Sequence, residues 1–281
     1  MATAPSKPTA PVKKESSGSS SIFATLAIPI CFAVTILLFI FIFGDPSHYK
    51  GGDVENGDAN DFFGIVHKGG PLVPVVLGYI LMVIVFSIER FIVIGKASGT
   101  SSIDAFVRKI QTNLSAGNIE AAAAECDKQK GSVANVIKAG LKKYREMESE
   151  TTLDIDQKTL AIQKDIEEAT ALEMPMLEQN LTIIATLVSI GTLTGLLGTV
   201  IGMIRAFHEL AGNGGGTNTS GLSNAISEAL VNTAGGIGTS ALSIIMYNIF
   251  TSKIDGLTYA IDETGFSLVQ TFAASHKHGK A

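Results

Sequence analysis

Residues 22–43 read IFATLAIPICFAVTILLFIFIF and carry no charged side chain. At about 1.5 Å of rise per residue, such a helix reaches across the roughly 30 Å of a bilayer's hydrocarbon core. A run of this kind fits neither an ordinary soluble helix nor a strand, so it fixes the solvent in which much of the chain folds. Pro29 lies within it, tolerable in a span because neighbouring groups satisfy the freed carbonyl. The run is too long for a signal-peptide core and no small-x-small cleavage site follows it, so it reads as an uncleaved anchor.

Three more runs follow. Residues 71–95 form the second, with Glu89 and Arg90 near one edge, where opposite charges pair or snorkel. Residues 181–207 and 229–250 form the third and fourth, both rich in Gly, Ala, Ser and Thr, the signature of helices packed against protein. The expected architecture is therefore an all-α polytopic membrane protein with four transmembrane helices. Hydrophobic content of 46% and only 17% charged residues agree with it.

The remaining segments follow from charge. Lys7, Lys13 and Lys14 lie in a Pro/Ser/Lys-rich tail over 1–21, and Arg90, Lys96, Lys138, Lys142, Lys143 and Arg145 follow the second span. The 44–70 loop is acidic, and AGNGGGTNTSGLS at 211–223, within the 208–228 loop, has no basic residue. The excess of Lys and Arg places both termini and the 96–180 region in the cytoplasm. Arg205 alone stands against that count. The 96–180 region lacks strand alternation and reads as helices extending the spans, with Met174, Met176 and Leu177 as packing residues. Residues 251–281 read as a cytoplasmic tail.

Polar residues inside the third and fourth spans need a reason. Thr182, Thr186, Ser189, Thr192 and Thr199 share one helical face, and Thr233, Gly236, Ser240, Ser243 and Tyr247 share another. Two readings stand: the hydroxyls line a hydrated path, or they bond back to their own helix and permit close packing. Gly191, Gly195, Gly198 and Gly202, with Gly236 opposite, supply the small-residue spacing of a tight helix seam. Glu228, at the outer mouth of the fourth span, either faces a lumen or partner or caps a helix start in water.

Other chemistry finds no support. Cys31 and Cys126 make no disulfide framework or CxxC motif and read as unpaired buried thiols. GNGGG in the outer loop lacks the GK[ST] of a nucleotide loop and reads as a flexible turn, and His276 and His278 read as a solvated tail. No catalytic residue, cofactor or metal is expected, and the mixed-sign charge pattern disfavours nucleic acid.

SIERF at 87–91, TGLLGTVIGMIRAF at 194–207 and ISEALVNTAGG at 226–236, with Tyr247 and Asn248 later, resemble the MotA/TolQ/ExbB proton channel family, and within it the ExbB branch. The resemblance covers roughly 69–253. It implies three core spans plus the extra first one, and a pentamer in the inner membrane of a Gram-negative bacterium. The pentamer would surround an ExbD-like one-span subunit that carries the proton-binding aspartate, and would drive a TonB-like protein. It also implies that Thr199 and Thr233 face the lumen, with Glu228 as the family glutamate before the second motif; the hydroxyl faces themselves add Ser189, Thr192 and Ser240 to the candidate lining. The chain departs from the family where Gly191 and Thr192 replace Ala-Pro, and where Ala241, Leu242 and Ser243 replace Ile-Pro-Ala. A TolQ-like role in envelope maintenance and a non-conducting scaffold are the competing readings.

Overall fold

A computed structural model describes residues 17–54, 57–212 and 219–277. The basic residues of the N-terminal tail, most of the GNGGG turn and His278 lie outside the described residues. Among the described residues there is no β-strand, only an isolated bridge between Tyr49 and Ala59.

Among the described residues, four helices are long and apolar enough to cross a membrane. Helix α1 (Ser17–Leu38) runs on as a five-residue π-helix, Phe39–Phe43. The short α2 (Phe62–His67) leads into α3 (Val73–Ser98), the second crossing helix. Helices α4 (Ile103–Ser115), α5 (Ile119–Gln129), α6 (Gly131–Ser149) and α7 (Ile155–Glu178) follow. Helices α8 (Leu181–Gly212) and α9 (Thr219–Lys277) are the last two crossing helices.

The boundaries differ from the sequence reading in three places. Helix α1 begins by Ser17, inside the segment expected to be tail. Helices α8 and α9 take up most of the expected 208–228 loop. The expected 251–281 tail is helical through Lys277, because α9 is a single helix of 59 residues, roughly 90 Å long at helical rise. Its second half continues the 3.6-residue apolar period, burying Ile254, Leu257, Ile261, Leu268 and Phe272.

That second half of α9 is a wall of the polar-region bundle. Phe106, Ile110 and Leu114 of α4, Val133, Ile137 and Leu141 of α6, and Ile162 of α7 join one apolar core with it. Cys126 of α5 lies in the same core, and both cysteines are free and buried as expected. Local signals set the helix starts. Asp154 and Gln157 form a reciprocal capping box at α7, and Asn118 accepts the amide of Ala121 at α5.

Helices α7 and α8 are joined at Gln179 and Asn180. Asn180 adopts the left-handed conformation (φ 64°), whereas Pro175, the breaker visible in the sequence, sits inside α7. Arg90, 1% exposed, caps this end of α7 by donating to the carbonyls of Met176 (3.3 Å) and Leu177 (3.2 Å). Glu89 neutralises it through a two-point contact, Nε to Oε2 at 2.6 Å and Nη2 to Oε1. Asn180 Nδ2 also donates to Glu89, at 3.3 Å. Of the three packing residues expected here, Leu177 is buried and Met174 half-buried, but Met176 is exposed.

Within the membrane, α1 packs on α3 through edge-on Phe23–Phe86 and Phe32–Tyr79 contacts, and α9 packs on both α3 and α8. The outward faces of α8 and α9, including Leu196, Leu197, Val200, Ile237 and Ile245, are exposed apolar surface that lipid or other subunits must cover.

Candidate functional site

The α8–α9 seam is built by glycine. A methyl carbon placed on Gly236 would lie 2.5 Å from the Gly191 carbonyl oxygen and 2.7 Å from Gly195 Cα. One placed on Gly198 would lie 2.4 Å from Asn232 Cβ, and one on Gly202 would lie 2.6 Å from Ala229 Cβ. Side chains at these positions would hold the backbones apart, so the small residues set the interhelical distance.

Close approach brings some of the expected hydroxyls together. Thr192 and Ser240 meet across the seam at 2.7 Å, and Ser240 Oγ is 2.6 Å from the Val188 carbonyl. Thr233 Oγ1 lies 3.0 Å from the Gly195 carbonyl of α8 and 3.1 Å from that of Ala229 in its own helix. Others bond only to their own helix: Thr199 to Leu196 (2.6 Å), Thr186 to Thr182 (2.7 Å) and Ser243 to Thr239 (2.8 Å). Ser189 is exposed. Both readings of the polar stripes thus apply, each to different residues.

Glu228 sits within α9, more than two turns past Thr219, rather than at a helix start. Its side chain is 11% exposed, and one carboxylate oxygen contacts the Arg205 guanidinium of α8. Arg205, the one residue against the positive-inside count, is therefore the counter-ion of the buried acid. The pair borders an open cleft of about 440 Å³ that His67, Lys68, Gly70, His208 and Glu209 also line.

Inward of this pair the helices hold no charge: residues 181–204 and 229–252 contain no Asp, Glu, Lys, Arg or His. A hydroxyl has one proton and two lone pairs and does not ionise at physiological pH. The seam can therefore orient or accept a hydrogen bond, but cannot by itself take up and release a proton.

The loop between α1 and α3 is internally bonded. Asp45 accepts the Ser47 amide at 2.8 Å and Asp61 the Gly64 amide at 3.0 Å; the Ser47 side chain and then its amide hold the Asp45 carboxyl below the usual range, and the Gly64 amide does so for Asp61. Tyr49 Oη and His67 Nδ1 are 2.6 Å apart, and the His67 ring packs on Phe39. Burial pushes the His67 pKa down.

The sequence profile of the MotA/TolQ/ExbB proton channel family matches residues 128–263, which span α8 and the whole membrane part of α9. Over that stretch, just under half of the chain, the protein is similar to the MotA/TolQ/ExbB proton channel family. It is 36% identical over 88 residues to the putative biopolymer transport protein ExbB-like 3 of Synechocystis, covering 31% of this chain and 42% of that protein. It is 26% identical over 156 residues to the Tol-Pal system protein TolQ of Pseudomonas aeruginosa, covering 56% and 67%. A second Synechocystis protein, the putative biopolymer transport protein ExbB-like 1, is 34% identical over 88 residues, covering 30% and 35%. The matched stretches thus cover less than half of either ExbB-like protein. The family profile takes in the glycine seam, Arg205 and Glu228, and leaves α1, α3 and the loop between them outside it.

Sequence reasoning missed two residues of this site. Arg205 was counted only for topology, and Asn232, 1% exposed beside Gly198, was read only as part of a motif. An amide in an apolar span is itself a signal, since it is costly there unless bonded.

Proposed function

We propose that the chain is the channel subunit of an inner-membrane motor that couples the proton motive force to TonB-dependent transport across the outer membrane. The observation that carries this reading is the uncharged, hydroxyl-bearing α8–α9 seam beneath the Glu228–Arg205 pair. The seam can steer a proton carrier but supplies none, which calls for a partner with a titrating group. The similarity to the family supports an ExbD-like one-span subunit as that partner, with five copies of this chain around it and a TonB-like protein receiving the motion.

On this reading protons arrive from the outer side past Glu228. They neutralise a partner carboxyl near Thr199 and Thr233, and leave to the cytoplasm, where both termini and the α4–α7 bundle lie. One charge crossing the membrane potential supplies about 2.3 kcal/mol per 100 mV. Thr199, Thr233, Thr192 and Ser240 orient the carboxyl or its water and do not titrate themselves. The similarity to a TolQ protein over more than half of this chain favours envelope maintenance as the second reading.

The test is proton flux into liposomes holding the chain and its one-span partner. Thr199→Ala and Thr233→Val are expected to leave assembly intact and lower flux. Unchanged flux in both would remove these hydroxyls from the path. Co-purification with a TonB-like as against a Tol-type partner separates the two outputs.

A further inference from the structure

We propose that the turn joining α2 to α3 is a removable cover over Glu228, and that Asn232 is the positioning residue that latches it shut. The inference rests on the reading that Glu228 lies on the proton's route.

Two contacts place the cover. Asn232 Nδ2 donates to the Gly69 carbonyl at 2.7 Å, a bond between residues 163 apart in the chain, and to the Glu228 carbonyl at 2.9 Å. One residue further, Gly70 lies against the Glu228 carboxylate. A methyl carbon there would fall 2.2 Å from Oε1, and the backbone (φ +77°) is one that favours glycine. The turn thus sits on the acid while its carbonyl is held one helical turn deeper.

The latch is an asparagine at some cost. Asn232 is almost wholly buried in an apolar helix, and its Oδ1 has no partner. A buried acceptor left unmade is unfavourable, and an apolar residue of similar size would fill the space beside Gly198 without that cost. What the amide adds is its bond to the turn. That bond joins two parts of different kind, since the turn lies outside the stretch matching the family profile and this part of α9 lies within it. A turn opens more readily than packed helices, and because Glu228 already borders the open cleft beside His67 and Lys68, lifting the turn widens the access of water to the covered side of its carboxylate.

The test uses the full chain in detergent with Ala225→Cys, a position on the cleft that is 6% exposed, and a charged maleimide. The native thiols are internal controls: Cys31 is buried, and burial pushes Cys126 up to about 12. Adding Asn232→Ala is expected to raise labelling of the introduced thiol by about 5- to 30-fold, the population change for one lost buried hydrogen bond. Gly70→Ala, which drives the turn off the acid with Asn232 intact, is expected to do the same. Unchanged labelling in both variants would overturn the latch and leave the proton reading standing. Equal labelling of Cys31 and Cys126 in both would also overturn it, making the contacts general packing. Raised labelling together with normal proton flux in Glu228→Gln would keep the latch and remove Glu228 from the route.

Discussion

The Arg205 guanidinium of α8 contacts the Glu228 carboxylate of α9 with the acid nearly buried and the base half-exposed. Removing either partner leaves the other with an unmatched charge at this end of the seam. Arg205→Met is expected to cost about 1–2 kcal/mol, limited by the exposure of the arginine. Combined with Glu228→Gln, the cost should be less than the sum of the two. Thermal unfolding of the three variants in one detergent checks this, and strict additivity would rule out a direct coupling.

Two glycines of α9 should respond oppositely to alanine. At Gly236 the new methyl meets the α8 backbone, so Gly236→Ala should destabilise by about 1–3 kcal/mol and loosen the seam. At Gly238 nothing lies within 4 Å, so Gly238→Ala should stabilise by about 0.5–1 kcal/mol through helix propensity alone. Melting temperatures of the pair separate close approach from intrinsic preference.

Arg90 is the most buried charge described, and it satisfies two carbonyls at the end of α7 as well as Glu89. Arg90→Met strands Glu89 and those carbonyls, an effect of roughly 3–5 kcal/mol for a broken buried pair. Arg90→Lys should fail to restore the junction, because an ammonium lacks the planar fork. Hydrogen exchange at Met176 to Asn180 should speed up in both.

The loop between α1 and α3 should weaken as the solution is acidified below about pH 6.5. His67 is held neutral by burial, so its folded pKa lies below the ordinary histidine value. Above both values the proton balance is the same folded or open. As pH falls between them the open loop takes up a proton that the folded loop refuses, and stability declines until the folded pKa is passed. Asp45 and Asp61, held low by the hydrogen bonds from Ser47 and Gly64, lose their contribution only in much more acidic solution. Hydrogen exchange across residues 44–72 between pH 7.5 and 5 should show the decline, and His67→Phe should flatten it.

The division between sequence and structure follows the distance over which each kind of information acts. Four apolar runs, the hydroxyl faces of α8 and α9 and the glycine spacing were legible because helical periodicity is a property of neighbouring residues. So was the resemblance to the family, carried by short continuous motifs around Gly198 and Glu228. The length of α9 was missed because its apolar period becomes sparser once charged residues occupy the outer face of the polar-region half.

The tertiary structure decided which polar groups meet. Arg205 finds Glu228 across 23 residues, Arg90 finds the α7 carbonyls across 86 and 87, and Asn232 finds Gly69 across 163. The carbonyls carry no mark in the sequence, and although Glu228 and Arg205 each stand out there, nothing in the sequence pairs them. Burial in apolar surroundings makes an unpaired polar group costly, so the packing of the helices, and not the order of the residues, chose the pairs.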